Sequence, residues 1–152
     1  MRDEAQTLQR MTLFRQRCGE LGLANTHQRQ VIFRTLAEST NHPTPEEVYR
    51  KVCTKIPSIS LGTVYKNIKI FVRAGLLKEV ALRHEPLRLD PNLTNHHHLI
   101  CGRCKSITDL AAEHLEPVRF KGKPPAGFKV EHCEAVAYGL CAVCVKKHER
   151  SL

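Results

Sequence analysis

Asp90 to Cys104 reads Asp-Pro-Asn-Leu-Thr-Asn-His-His-His-Leu-Ile-Cys-Gly-Arg-Cys, and a second Cys-x-x-Cys pair, Cys141 and Cys144, stands near the end of the chain. A Cys-x-x-Cys hook can bend so that both thiolates meet one ion. Two hooks far apart in sequence therefore specify a tetrahedral zinc site on Cys101, Cys104, Cys141 and Cys144. The histidines beside the first hook have no duty in that site. With the nearby carboxylate they call for a second, harder metal, so the residues predict one metal for structure and another for sensing.

The elements that position these residues must come from a chain of 152 residues, enough for one domain or two small ones. Its formal net charge of +9 points to a polyanionic partner, nucleic acid first. No apolar run approaches the roughly 20 residues of a membrane span, and Met1-Arg2-Asp3-Glu4 lacks the apolar core of an export signal. A cytoplasmic protein without a membrane partner is expected. Seven cysteines is an odd number, and four of them are paired as hooks, so zinc in a reducing compartment accounts for them better than disulfides. Cys18, Cys53 and Cys133 are expected to be small buried hydrophobes.

In the N-terminal half, Leu8, Met11, Phe14, Cys18 and Leu21 recur at spacings of three and four, predicting an amphipathic helix over Thr7–Leu21 that Gly22 stops. A second helix opens at Thr26 as N-cap and buries Val31, Ile32, Phe33 and Leu36. A third opens at Thr44-Pro45-Glu46-Glu47, where Thr caps, Pro takes the first position and Glu47 closes a capping box; Val48, Tyr49 and Val52 bury it. A fourth follows Ser60, burying Leu61, Val64, Ile68, Phe71 and Val72 and ending at Gly75. Its other face mixes Thr63, Tyr65, Lys66, Asn67 and Lys69, which supply both phosphate contacts and base-edge hydrogen bonds. Leu77–Leu82 and Leu87–Leu89 read as two strands joined by Arg83-His84-Glu85-Pro86. Helices followed by a hairpin give the order of a winged helix-turn-helix. Residues 1–80 hold 13 basic against 7 acidic side chains and residues 81–152 hold 11 against 8, so charge is densest where DNA should lie. The expected DNA contacts are Arg15, Arg29, Ser60, Thr63, Tyr65, Lys66, Asn67 and Lys69.

In the C-terminal half, Ser106–Leu110, Phe128–His132 and Ala135–Tyr138 read as strands, and Glu113–Phe120 as a short helix limited by Pro117. Both hooks are thus expected on sheet. The core is thin, so zinc is needed to hold it, and an open sheet edge predicts pairing with a second copy. A two-fold protein also suits an operator with two half-sites.

Thr-x-Gln-Arg at Thr26–Arg29, His-Pro-Thr at His42–Thr44, Thr-Val-Tyr at Thr63–Tyr65, His-His-His-Leu-Ile-Cys-x-x-Cys at His96–Cys104 and the hook at Cys141 together resemble the Fur (ferric uptake regulator) family of metal-dependent repressors. The resemblance covers nearly the whole chain. It implies an α+β protein with a winged-helix DNA-binding domain at residues 1–88 and a small α/β dimerisation domain at residues 89–152. It also implies structural Zn2+ on the four cysteines and a regulatory metal held by His42, Asp90, His96, His98 and Asp109. His97, between two ligands on an extended segment, should face the other way and meet solvent. Three departures stand out: His27 replaces the usual Pro after Thr26, a Pro-rich stretch at Lys121–Gly127 replaces part of a longer helix, and Asn95 stands where a third family site uses a histidine, leaving His132 as a remnant.

Five N/O ligands without sulfur suit Fe2+ or Mn2+. Asp at the position of Asp109 is similar to the peroxide-sensing (PerR-type) branch, in which iron reacts with hydrogen peroxide and a histidine ligand is oxidised. His42 and His96 are the targets this resemblance implies. The expected function is a homodimeric, peroxide-sensing repressor of an operator in double-stranded DNA, neither an enzyme nor a receptor for a small-molecule substrate. The rival of the same fold is a sensor of iron, manganese, zinc or nickel supply. A metal-dependent hydrolase lacks a general base outside the ligands, and a protein-binding zinc ribbon leaves the basic Tyr65 helix unexplained.

Overall fold

A computed structural model describes residues 4–80, 86–117, 122–131 and 133–149. Two compact units result, Met1–Leu93 and Thr94–Leu152. The expected boundary at 88/89 moves because β2 (Arg88–Asp90) still belongs to the first unit, pairing antiparallel with β1 (Lys78–Val80) so that Asp90 faces Lys78. Ala81 and Leu82 of the expected first strand, and Arg83–Glu85 of its turn, lie outside the described residues.

The first unit is built from α1 (Glu4–Glu20), α2 (His27–Ala37), α3 (Pro45–Cys53) and α4 (Leu61–Arg73), followed by the β1–β2 hairpin. The helix starts follow the side-chain chemistry. Thr26 accepts from the Arg29 N–H at 3.3 Å, so α2 opens at His27 without a proline. Thr44 and Glu47 form the reciprocal capping box of α3, and Ser60 accepts from the Thr63 N–H at 3.1 Å to cap α4. Gly75, with φ +65°, ends α4 in the left-handed conformation that glycine adopts without cost.

Phe14, Phe33 and Phe71 bring α1, α2 and α4 together: Phe14 stacks on Phe33 with centroids 4.7 Å apart, and Phe71 meets both edge-on. Each is fully buried and contributes about 1.5–3 kcal/mol of transfer free energy. Met11, Cys18, Ile32, Leu36, Val48, Val52, Val64, Ile68 and Leu89 are among the other members of this core. Leu8, Leu21 and Leu61, expected inside, are exposed because each lies at an end of its helix, beyond the turns that meet other helices. Cys18 is buried as expected, whereas Cys53 and Cys133 are only half-buried.

The second unit centres on a three-stranded sheet in the order β4 (Ile107–Ala111), β3 (His96–Cys101), β5 (Val136–Gly139). β4 runs antiparallel and β5 parallel to β3. Ile100, Cys101, Ile107 and Cys144 are its buried apolar residues among those described, a core as thin as the sequence implied. Three expectations fail here. Residues 128–131 form no strand, because the Phe128 N–H donates to the Pro125 carbonyl in a turn that Gly127 enters at φ +83°. The helix expected from Glu113 is a single 3-10 turn, Ala112–His114, cut short ahead of Pro117, and its end at 118–120 lies outside the described residues. Of the second hook, Cys141 follows β5 as expected, but Cys144 sits on a helix, α5 (Ala142–Glu149), which is too short for a helical period to show among Ala142, Val143, Cys144 and Val145.

Candidate metal centres

Cys101 is the last residue of β3, and a tight turn follows in which Lys105 takes φ +61° and donates its N–H to the Cys101 carbonyl. This turn folds Cys104 back over Cys101. Gly102 donates to the Gly139 carbonyl at 2.8 Å, which carries the end of β5 past the same turn and delivers Cys141. Cys144 lies in the first turn of α5. The four sulfurs lie within 4.8 Å of one another, and those of Cys104 and Cys141 are 3.7 Å apart. Zn–S bonds of about 2.3 Å at the tetrahedral angle separate sulfurs by about 3.8 Å. The cysteines are unbridged, so the cluster has the dimensions of a tetrathiolate zinc site.

The electrostatics agree. Backbone N–H groups of Cys104 and Cys141 bring the Cys101 thiol down to about 6, and the Ser106 hydroxyl, 3.2 Å from the Cys104 sulfur, lowers Cys104 as well. Burial pushes Cys144 up to about 12, with the neighbouring thiols adding to the shift. A thiolate cluster that shares its charge with a divalent cation resolves this conflict.

On the same strand, His96 and His98 project from one face because side chains two apart in a strand share a side. Their Nε2 atoms are 3.1 Å apart, and a carboxylate oxygen of Asp109, opposite His98 on β4, is 3.9 Å from His96 Nε2. His96 Nδ1 donates to the Thr94 carbonyl at 2.9 Å, which leaves Nε2 as the ring's lone-pair nitrogen. That is the tautomer a metal requires, fixed by a carbonyl in the way metal-bound histidines usually are. Metal–nitrogen bonds of about 2.1 Å at right angles span about 3 Å, matching the two nitrogens. His97 does not meet solvent as expected. It is buried on the opposite face, where Nδ1 accepts the Ala135 N–H at 3.0 Å and so ties down the approach to β5.

In the first unit, His42 Nε2 stands 3.7 Å from Asp90 Oδ1, and both side chains are buried. His42 has φ +43°, a conformation that costs a non-glycine residue about 1–3 kcal/mol and persists only where the surroundings fix it. The fixing bonds are on either side: Pro43 accepts the Leu89 N–H at 3.0 Å, Thr44 caps α3, and Asp90 Oδ1 accepts the Asn92 N–H at 2.7 Å. The five expected N/O ligands are thus gathered as His42 with Asp90 in one unit and His96, His98 and Asp109 in the other. His132, the expected remnant of a third site, lies outside the described residues.

Of the expected DNA contacts, Arg15, Ser60, Lys66 and Lys69 are exposed, and Arg29, Thr63 and Tyr65 half-buried. Asn67 is buried, corrected from its expected place on the outer face: its amide donates to the Thr63 carbonyl at 2.8 Å and its oxygen accepts Arg29 Nε at 3.1 Å. Arg29 also donates to the Ala24 carbonyl, so this pair clamps α2 to α4. Ser60 is occupied as the α4 cap, and the Tyr65 hydroxyl donates to Glu46. The periodicity of α4 gave no sign that Asn67 turns inward, since its partner Arg29 is remote in sequence.

The chain matches the family described as the ferric uptake regulator family over residues 20–138. It belongs to that family. Among curated relatives it is 37% identical to a peroxide-responsive repressor PerR of Staphylococcus epidermidis over 81% of this chain and 82% of that one. Among solved structures it resembles the Campylobacter jejuni peroxide stress regulator, with a TM-score of 0.61 and 29% identity over 84% of this chain and 95% of that one. The Helicobacter pylori ferric uptake regulator shares the fold at a TM-score of 0.68 and 18% identity, covering 91% and 93% of the two chains. The expected α+β fold is therefore that of the family, and the protein is a metal-dependent regulator of that family. Among the described residues, no helix is long and apolar enough to cross a membrane.

Proposed function

We propose that this chain is a metal-dependent, DNA-binding repressor that senses hydrogen peroxide in the cytoplasm. The unit of residues 1–93 reads DNA and that of residues 94–152 pairs two copies. The observation that carries this reading is the Nε2–Nε2 separation of 3.1 Å between His96 and His98, with His96 Nδ1 committed to Thr94 and the Asp109 carboxylate alongside. It is a ready N/O site in a chain 37% identical to a peroxide-responsive repressor. Completed by His42 and Asp90, its ligand set is all nitrogen and oxygen, which suits Fe2+ or Mn2+ and leaves zinc to the thiolates. Ligands drawn from both units make the metal a lock on the angle between them, and a two-fold protein needs one angle to seat two α4 helices in successive grooves. Exposed Val136, Tyr138, Leu140 and Val143 in the second unit favour pairing with a second copy.

Ferrous iron held by these residues would supply the electron that splits hydrogen peroxide, and the ferric iron formed would take one back from the ring, so that one peroxide oxygen is added to the ring and the other leaves as water. His42 and His96 are the rings that the resemblance to the family gives as takers of that oxygen, and an oxidised ring would no longer offer the same nitrogen. Oxidation then releases DNA. The test is to load the protein with Fe2+ or Mn2+, add peroxide, and follow DNA binding and peptide mass. Loss of binding together with one added oxygen atom on the His42 or His96 peptide, in the iron form alone, is the expected result. An iron form that keeps its DNA and its peptide masses overturns peroxide sensing in favour of a metal-supply sensor of the same fold.

A further inference from the structure

We propose that the adjacent acids Glu46 and Glu47, in the first turn of α3, are positioning residues that connect the His42–Asp90 ligand pair to Tyr65 on α4, giving the metal a route to the DNA-reading helix inside the first unit. This rests on the function proposed above.

Glu47 holds the ligand end. Its Oε2 accepts the Thr44 N–H at 2.8 Å and lies 3.5 Å from Arg88 Nη1. Thr44 is two residues beyond His42, and Arg88 is two residues before Asp90. Between these two anchors the Leu89 N–H donates to the Pro43 carbonyl at 3.0 Å. One carboxylate therefore grips both backbone segments that carry the ligands, so displacement of either is passed to the start of α3. Glu46 holds the other end, where its Oε1 accepts the Tyr65 hydroxyl. The hydrogen bond lowers the pKa of Glu46 and raises that of Tyr65, which keeps the proton on the phenol and the charge on the acid. Glu46 and Glu47 share a helical turn stiffened by Pro45 and the capping box, so they move as one body. Tyr65 sits among exposed Lys66 and Lys69, and an acceptor on Glu46 competes with DNA for its hydroxyl.

The test uses the full zinc-loaded chain and a duplex selected by the wild-type protein from random sequence in Mn2+, a metal that avoids oxidation. The readout is the ratio of DNA affinities with and without Mn2+, which loss of a surface charge alone leaves unchanged. Glu46→Ala is expected to reduce that ratio roughly 2- to 30-fold, with Mn2+ affinity in the absence of DNA unaltered. In a Tyr65→Phe background the same substitution should have no further effect on the ratio. Arg88→Met, which spares the α3 cap, is expected to weaken Mn2+ binding and the ratio together while circular dichroism stays native. A metal-responsive wild type whose ratio survives Glu46→Ala overturns the connection alone. A wild type whose DNA affinity ignores Mn2+ overturns the proposed function and the connection with it.

Discussion

His96 Nε2 faces His98 Nε2 across 3.1 Å, and the first of these rings is held by the Thr94 carbonyl. Because that bond fixes both the tautomer and the ring orientation, the two nitrogens form one edge of a site before any ion arrives. His98→Ala removes a ligand without touching the sulfur cluster on the other side of Cys101. Affinity for Mn2+ is expected to fall at least about 100-fold, beyond the 10- to 100-fold typical of losing a supporting contact. Zinc should stay at one per chain. Calorimetry and metal analysis check this, and equal loss of both metals would contradict separate sites.

The second unit has few buried apolar residues among those described, so its folding is expected to depend on zinc. Cys101→Ser removes the sulfur to which the Cys141 N–H donates at 3.4 Å, together with one ligand. Structural zinc is worth about 10–16 kcal/mol in small domains, more than such a core supplies. The variant, or the wild type treated with a strong chelator, is expected to lose the sheet and elute as a monomer, while the helical signal of the first unit persists. Far-ultraviolet circular dichroism and sizing chromatography measure both. A native sheet signal without zinc would show that the thin core suffices.

Much of this was legible in the residues, and the reason differs from place to place. The caps at Thr26, Thr44 and Ser60 are local, with donor and acceptor within one turn, so the helix starts of the first unit could be read directly. The cysteine hooks declare their geometry by spacing. What sequence pattern could not show depends on partners far along the chain: Asn67 turns inward to meet Arg29, and His97 is buried against Ala135. α5 escaped because a helix of two turns beside a metal ligand is held by the site rather than by an apolar stripe.

His97 makes a further distinction possible. Its Nδ1 accepts the Ala135 N–H at 3.0 Å, and β5 follows directly. His97→Ala leaves that N–H without its acceptor at a cost of about 1–3 kcal/mol. Faster hydrogen exchange at Ala135 and along β5 is expected, with Mn2+ affinity within a few-fold of wild type. A collapse of Mn2+ binding would instead make His97 part of the metal site.

Tyr65 and Glu46 define a pH response with a definite sign. The Tyr65 hydroxyl is the main cause that holds the Glu46 carboxyl below its ordinary value of 4.5. A carboxyl lowered in the folded state stabilises that state above the unfolded value, and the contribution disappears as pH falls through the folded value. Glu46 is close to fully solvated, so water screens the interaction and the effect on stability is small. It is best read from the titration itself. Tyr65→Phe removes the donor, so the Glu46 carboxyl, followed by carbon NMR, should titrate at higher pH and closer to 4.5. The small share of stability that Glu46 loses on acidification should then shrink in the variant, because its folded and unfolded titrations nearly coincide. A Glu46 titration identical in the two proteins would mean that the hydroxyl rests elsewhere in solution, and the α3–α4 contact would lose its place in the coupling.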